Sequence, residues 1–173
     1  MIVFKDLLSE DEMFTDAFKY NLMDDCIYEV ECSYTTRNTP AVELEGFNPV
    51  DVGDGIQDEV SSESGIDLVL NQRLVETHFG CKNEFRDYLK LYSKELEKKW
   101  KASGAPKEVV DLSKQNFIKA VKLLVPKFED FRFYLGESCD PLGHVAMLEF
   151  REKSGSEVPV MLFIKEGLFK EKL

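Results

Sequence analysis

Apolar and polar positions alternate most clearly near the C-terminus. Phe131, Phe133 and Leu135 alternate with Arg132 and Tyr134, the period of two expected of a half-buried strand. Gly136 to Gly143 interrupts the pattern, with Asp140-Pro141 as turn chemistry. Strand character resumes over Val145 to Phe150. A third strand is predicted over Val158 to Lys165, after Lys153-Ser154-Gly155-Ser156. Three strands so close in sequence predict an antiparallel meander. Upstream, strands are predicted at Val3 to Leu8, Phe18 to Leu22, Cys26 to Tyr34 and Ile66 to Leu74. Within Cys26 to Tyr34, the residues Cys26, Tyr28, Val30, Cys32 and Tyr34 fall on one face, opposite Glu29, Glu31 and Ser33.

The period changes to 3.6 over Lys82 to Phe128. Phe85, Leu89, Tyr92, Leu96 and Trp100 share one helical face, and Val110, Phe117, Val121, Leu124 and Phe128 share another. Ser103-Gly104-Ala105-Pro106 fits a glycine stop followed by a proline start, so the segment predicts two antiparallel helices. Pro126 predicts an end or kink near Leu124. Asn38 to Gly65 shows neither period. It holds seven acidic residues and no Lys or Arg, and predicts a long mobile acidic loop.

Charge refines this picture. The 173 residues carry a net charge of −11, which argues against a general nucleic-acid partner. The helical segment holds twelve basic and six acidic residues, so it is +6 and the remainder −17. A basic appendage on an acidic body suits partner binding, or attraction between loop and hairpin. With Lys90 placed at 0°, Lys94, Lys98 and Lys101 fall within about 80° of it, whereas the apolar face lies near 200–280°. That stripe is either a solvated face or a contact for an acidic surface.

No apolar stretch approaches membrane-spanning length and nothing resembles a signal peptide, so a cytoplasmic chain with no membrane partner is expected. Cys26, Cys32, Cys81 and Cys139 form no CxxC pair; reduced thiols are expected and a zinc site is not. His78 and His144 have no catalytic motif around them, and no phosphate loop, G-x-S-x-G or H-E-x-x-H is present. Cys139 is weighed as a nucleophile but has no recognisable His/Asn partner, so the expectation is no enzyme activity. Asp51, Asp54, Asp58 and Glu59 in the acidic loop lack EF-hand spacing and predict at most weak calcium binding, on the order of 10⁻⁴–10⁻³ M. Ser9-x-x-Glu12 has the form of a capping box.

Several segments together resemble one family. Ile2 to Phe14, Asp67-Leu68-Val69-Leu70-Asn71, Phe133-Tyr134-Leu135-Gly136-Glu137 and Glu166-Gly167-Leu168 are similar to the translationally controlled tumour protein family over essentially the whole length. Departures are Gly46-Phe47-Asn48, where the family has a Gly-Gly-Asn motif, and Leu142, where an acidic residue precedes the glycine. Many animal members end in cysteine where this sequence has Leu173, so no dimer through a terminal disulfide is expected, and a monomer is.

The resemblance implies an α+β fold, mainly β: one domain over 1–173, a β-tent of two antiparallel sheets with a protruding two-helix hairpin. It is similar to nucleotide-free chaperones of Rab GTPases, whose two zinc-binding cysteine pairs are missing here. The resemblance also implies weak calcium binding, association with tubulin and microtubules, contact with a Ras- or Rab-family small GTPase and with a translation elongation factor, and a role in growth and survival. It assigns Glu12, Leu74 and Glu137 to the GTPase-facing surface, and microtubule association gives Lys90, Lys94, Lys98 and Lys101 a tubulin-contact reading. Glu12 as a helix cap and Leu74 as a core residue remain alternatives. Exchange of guanine nucleotide, or chaperoning of the nucleotide-free GTPase, is the alternative activity.

Overall fold

The structure, a computed structural model, describes residues 1–38 and 62–173. A six-stranded antiparallel sheet is its centre. Its strands are β3 (Tyr20–Met23), β4 (Ile27–Glu31), β7 (Val75–Thr77), β8 (Arg132–Leu135), β9 (Ala146–Lys153) and β10 (Ser156–Ile164), in the order β3-β4-β10-β9-β8-β7. The meander predicted at the C-terminus is therefore present as β8-β9-β10. A second sheet, β11-β1-β2, joins the chain ends: β1 (Ile2–Asp6) lies between β2 (Glu12–Thr15) and β11 (Leu168–Lys172). A separate ribbon pairs β5 (Tyr34–Asn38) with β6 (Ser62–Ile66).

The central sheet is covered on both faces, and side-chain alternation divides its residues between two cores. Along β10, Val160, Leu162 and Ile164 face the core shared with the helices, while Met161 and Phe163 face the core shared with the second sheet. Met147 and Phe133 join the first set; Leu148 and Tyr134 join the second. Burial on both sides explains why β10 reads as an unbroken apolar run. Stacked Phe4 and Phe14, with ring centroids 4.1 Å apart, fill the core between the sheets together with Tyr28 and Phe163.

The hairpin is α2 (Lys82–Ala102) and α3 (Lys107–Leu124). Phe85, Leu89, Tyr92 and Leu96 are buried along α2, and Val110, Phe117 and Leu124 along α3, as their spacing predicts. The regular helix stops at Leu124, and a 3-10 turn over Val125–Asp130 accommodates Pro126. Proline has no N–H to continue the ladder and clashes with the preceding turn.

Three predicted elements differ. Ile66 to Leu74 is not a strand: Asp67–Gln72 is a short helix, α1, closed by Arg73 in the left-handed region at φ 55°. An apolar run this short carries no period that separates helix from strand. Cys26 to Tyr34 is not one continuous strand. Tyr28, Val30 and Cys32 do share the inter-sheet core, but Cys26 joins the hairpin-side core, and Tyr34, 65% exposed, starts β5. Third, the acidic segment expected as loop over 38–65 contributes Asn38 to β5 and 62–65 to β6; positions 39–61 lie outside the described residues.

Candidate functional site

The site starts at the turn between β1 and β2. Asp6, 1% exposed, accepts hydrogen bonds from the Leu8 and Ser9 amides (3.1 and 3.3 Å) and from Ser9 Oγ (2.5 Å). The Asp6 amide donates to the Asp11 carbonyl and the Glu10 amide to the Asp6 carbonyl, both at 2.9 Å. Glu10 takes φ 64° to close the turn. The capping-box reading of Ser9 and Glu12 is thereby corrected. No helix begins here, because the Asp6 carboxylate captures the local amides and the Ser9 hydroxyl. Glu12 is exposed at the first position of β2.

Two further segments meet this turn. The strap after β8 passes so close to Asp11 that a Cβ on Gly136 would stand 2.6 Å from Asp11 Cβ, a space only glycine fits. Ser138 then donates from its amide and its hydroxyl to Asp11 Oδ2 (3.3 and 2.6 Å). From the end of α1, Arg73 Nη1 reaches Glu137 Oε1 at 3.1 Å, with both side chains mostly exposed. Glu10, Asp11, Glu12, Asn71, Gln72, Arg73 and Glu137 together line a shallow basin of about 390 Å³. Among the described residues, four carboxylates and one guanidinium thus line the basin, and only Glu137 is paired with Arg73. Exposed ion pairs contribute about 0–1 kcal/mol, so Arg73 and Glu137 exchange partners at little cost.

Of the three residues assigned to a GTPase-facing surface, the fold brings Glu12 and Glu137 to one rim. Leu74 is not on it. It is 6% exposed in the inter-sheet core, with its amide donating to the Val69 carbonyl, and it supports the rim from beneath. Arg73, its neighbour, is the residue that reaches the surface.

Behind the rim lies a buried polar network. Asp6 Oδ2 accepts the His144 amide at 2.8 Å. His144 Nε2 accepts the Ile164 amide at 3.3 Å, so the neutral ring carries its hydrogen on Nδ1 and donates to Tyr92 Oη at 2.8 Å. The Tyr92 hydroxyl donates toward the Gly167 carbonyl (3.3 Å) and Asp6 Oδ1 (3.4 Å). Tyr88 Oη donates to the Gly143 carbonyl and accepts the Val145 amide. Burial pushes both tyrosines well above the usual phenol range. Burial also lowers His144 to about 4, against the opposing pull of the Asp6 charge. Both His144 nitrogens are thus engaged in holding the strap to the core. The sequence reading missed Asp6, Asp11, Tyr88 and Tyr92; the only local signal is the spacing of Tyr88 and Tyr92 one turn apart on α2.

The lysine stripe is exposed as expected, but half of it is already paired. Lys98 bonds Glu95 at 3.1 Å, and Lys101 bonds Glu97 at 2.9 Å. Glu97 also receives Lys114 of α3 at 2.7 Å, bridging the helices. The calcium residues Asp51, Asp54, Asp58 and Glu59 lie outside the described residues. Among the described residues, no group of His, Cys, Asp and Glu is disposed to hold a metal ion. Cys26 and Cys32 are buried and Cys81 and Cys139 exposed, all four as free thiols. No described helix is long and apolar enough to cross a membrane.

The family model described as "Translationally controlled tumour protein" matches residues 1–169. The chain belongs to the translationally controlled tumour protein family. Homologues of that name from Grammostola rosea and Ixodes scapularis are 51% and 49% identical, each alignment covering 99% or more of both chains. Two solved structures of translationally controlled tumour proteins superpose over the full chain. The Schizosaccharomyces pombe protein gives a TM-score of 0.76 at 33% identity, covering 100% of both chains. The Caenorhabditis elegans protein gives 0.68 at 31% identity, covering 100% of this chain and 99% of that one. The β-tent with its helical hairpin is the fold of this family, as the N-terminal, Asp67–Asn71 and Phe133–Glu137 segments suggested.

Proposed function

We propose that this member of the translationally controlled tumour protein family is a non-enzymatic, cytoplasmic interaction protein that presents its acidic rim to a Ras- or Rab-family small GTPase. One observation carries the reading: Glu10 and Glu12 of the β1–β2 turn, Arg73 at the end of α1 and Glu137 after β8, three segments far apart in sequence, line one basin, with Arg73 paired to Glu137. Such a rim complements the basic and Mg²⁺-site residues that a GTPase exposes when its nucleotide leaves. A carboxylate set competing with phosphate for those groups favours the nucleotide-free state. The rim is held by the Asp11–Ser138 bonds and the tight Gly136 contact, which suits holding a GTPase more than prying it open. The expected activity is therefore chaperone-like, with at most slow exchange. The engagement of both His144 nitrogens in the core supports the non-enzymatic reading. Association with microtubules is assigned to the hairpin lysines, an elongation factor is a further partner with no surface assigned to it, and a role in growth and survival follows from the sum of these contacts.

The test compares Glu12→Gln with Glu137→Gln for melting temperature and for binding to a nucleotide-free GTPase. Glu12 caps nothing, so Glu12→Gln is expected to change stability by no more than about 0.5 kcal/mol. Both variants are expected to lose binding several-fold, mainly through slower association. Parent-like binding by both would remove the rim from the function. Weak calcium binding through Asp51, Asp54, Asp58 and Glu59 is proposed from charge alone. NMR titration checks it, and shifts confined to the β-strands would place the ion elsewhere.

A further inference from the structure

The hairpin carries a second surface, distinct from the lysine stripe. Between α2 and α3, on one side, runs a groove of about 490 Å³. Leu89, Phe117 and Val125 form its buried floor, and Ile118, 53% exposed, stands in it beside half-buried Val121. Arg86 and Lys90 of α2 rim one wall, and Lys122 of α3 rims the other. Among the described residues, no carboxylate lines the groove. None of these three cations makes an ion pair with a described residue, whereas Lys98, Lys101 and Lys114, farther along the hairpin, are all paired. From Arg86 to Ser93 the α2 wall rises about 10 Å, two helical turns.

We propose that this groove docks a short acidic segment of a partner protein, which seats apolar side chains over Ile118 and Val121 and sets carboxylates against both walls. Apolar burial supplies the anchor, and the unpaired cations supply register and selectivity. Charge on both walls decides the occupant. A ligand with one anionic head meets a single wall, whereas a segment with several carboxylates meets Arg86, Lys90 and Lys122 together. Two turns of wall accommodate two apolar anchors spaced i, i+4 on a helical segment. The groove shares only Lys90 with the stripe and nothing with the acidic rim, so it stands or falls independently of both.

The probe is a fluorescein-labelled twelve-residue peptide of Asp and Glu with two leucines four positions apart, titrated into the full chain by anisotropy and by amide chemical-shift mapping. Expected shifts lie at 86–93 and 117–125. Ile118→Ser and Lys122→Glu, both at exposed positions, are expected to weaken binding at least about tenfold, with parent-like melting temperatures. Lys94→Glu with Lys98→Glu is expected to leave it within about twofold. Replacing both leucines of the peptide by serine is expected to abolish binding. The proposal is overturned by any of four results: no binding at millimolar peptide, undiminished binding by Ile118→Ser, shifts confined to 94–101, or decanoate binding there as tightly as the peptide.

Discussion

His144 ties the stability of this fold to pH. Its ring is buried against Asp6 and Tyr92, and Nε2 accepts the Ile164 amide. A proton on Nε2 would break that bond and strand a charge in the core. The folded value is lowered to about 4, whereas the unfolded ring titrates near 6.5. Between those values the unfolded chain binds more protons than the folded one. The contribution is thus fully present above pH 6.5 and is lost as pH falls toward 4. At about 1.4 kcal/mol per pH unit it amounts to roughly 3 kcal/mol. Urea unfolding at pH 7.0 and 4.5 is expected to show most of this loss, and His144→Gln to show a smaller one. An unchanged difference would remove His144 from the linkage. None of this was legible in the sequence. Asp6, Tyr92 and His144 come from β1, α2 and the residues before β9, and only the assembled sheets bring them together. Leu74, by contrast, already carried its core reading in an apolar run.

Among the elements, α2 and α3 were legible because long amphipathic segments repeat their signal over several turns. Pro126 marked their end for a reason that holds in any context. The short elements were not. Six residues of α1 complete fewer than two turns, and Ser9-x-x-Glu12 spells a capping box where the chain instead turns from β1 into β2. The stripe on α2 gained detail that sequence alone does not hold. Lys98 and Lys101 have internal counter-ions, while Lys90 and Lys94 make no ion pair among the described residues. In microtubule co-sedimentation, replacing all four lysines by glutamate is expected to reduce pelleting, in a salt-sensitive manner. Lys90→Glu with Lys94→Glu is expected to cost more than Lys98→Glu with Lys101→Glu. Undiminished pelleting of the four-lysine variant would leave the stripe as an ordinary solvated face.

At the scale of the molecule, the family resemblance implied the β-tent, and the order strand, hairpin, strand agreed with it. What the order could not give was the closure of the chain ends into one sheet through β1 and β11, or the meeting of the β1–β2 turn, the end of α1 and the strap after β8. Those contacts depend on long-range pairing that no local period encodes. The acidic rim is the product of that closure, and it is the surface proposed to grip a GTPase. Amide chemical-shift mapping of the labelled chain against a nucleotide-free Ras- or Rab-family GTPase tests it most directly. Perturbations are expected at Glu10 to Glu12, Gln72 to Arg73 and Glu137 to Ser138. Perturbations confined to the hairpin over 82–124, or none at stoichiometric GTPase, would contradict it.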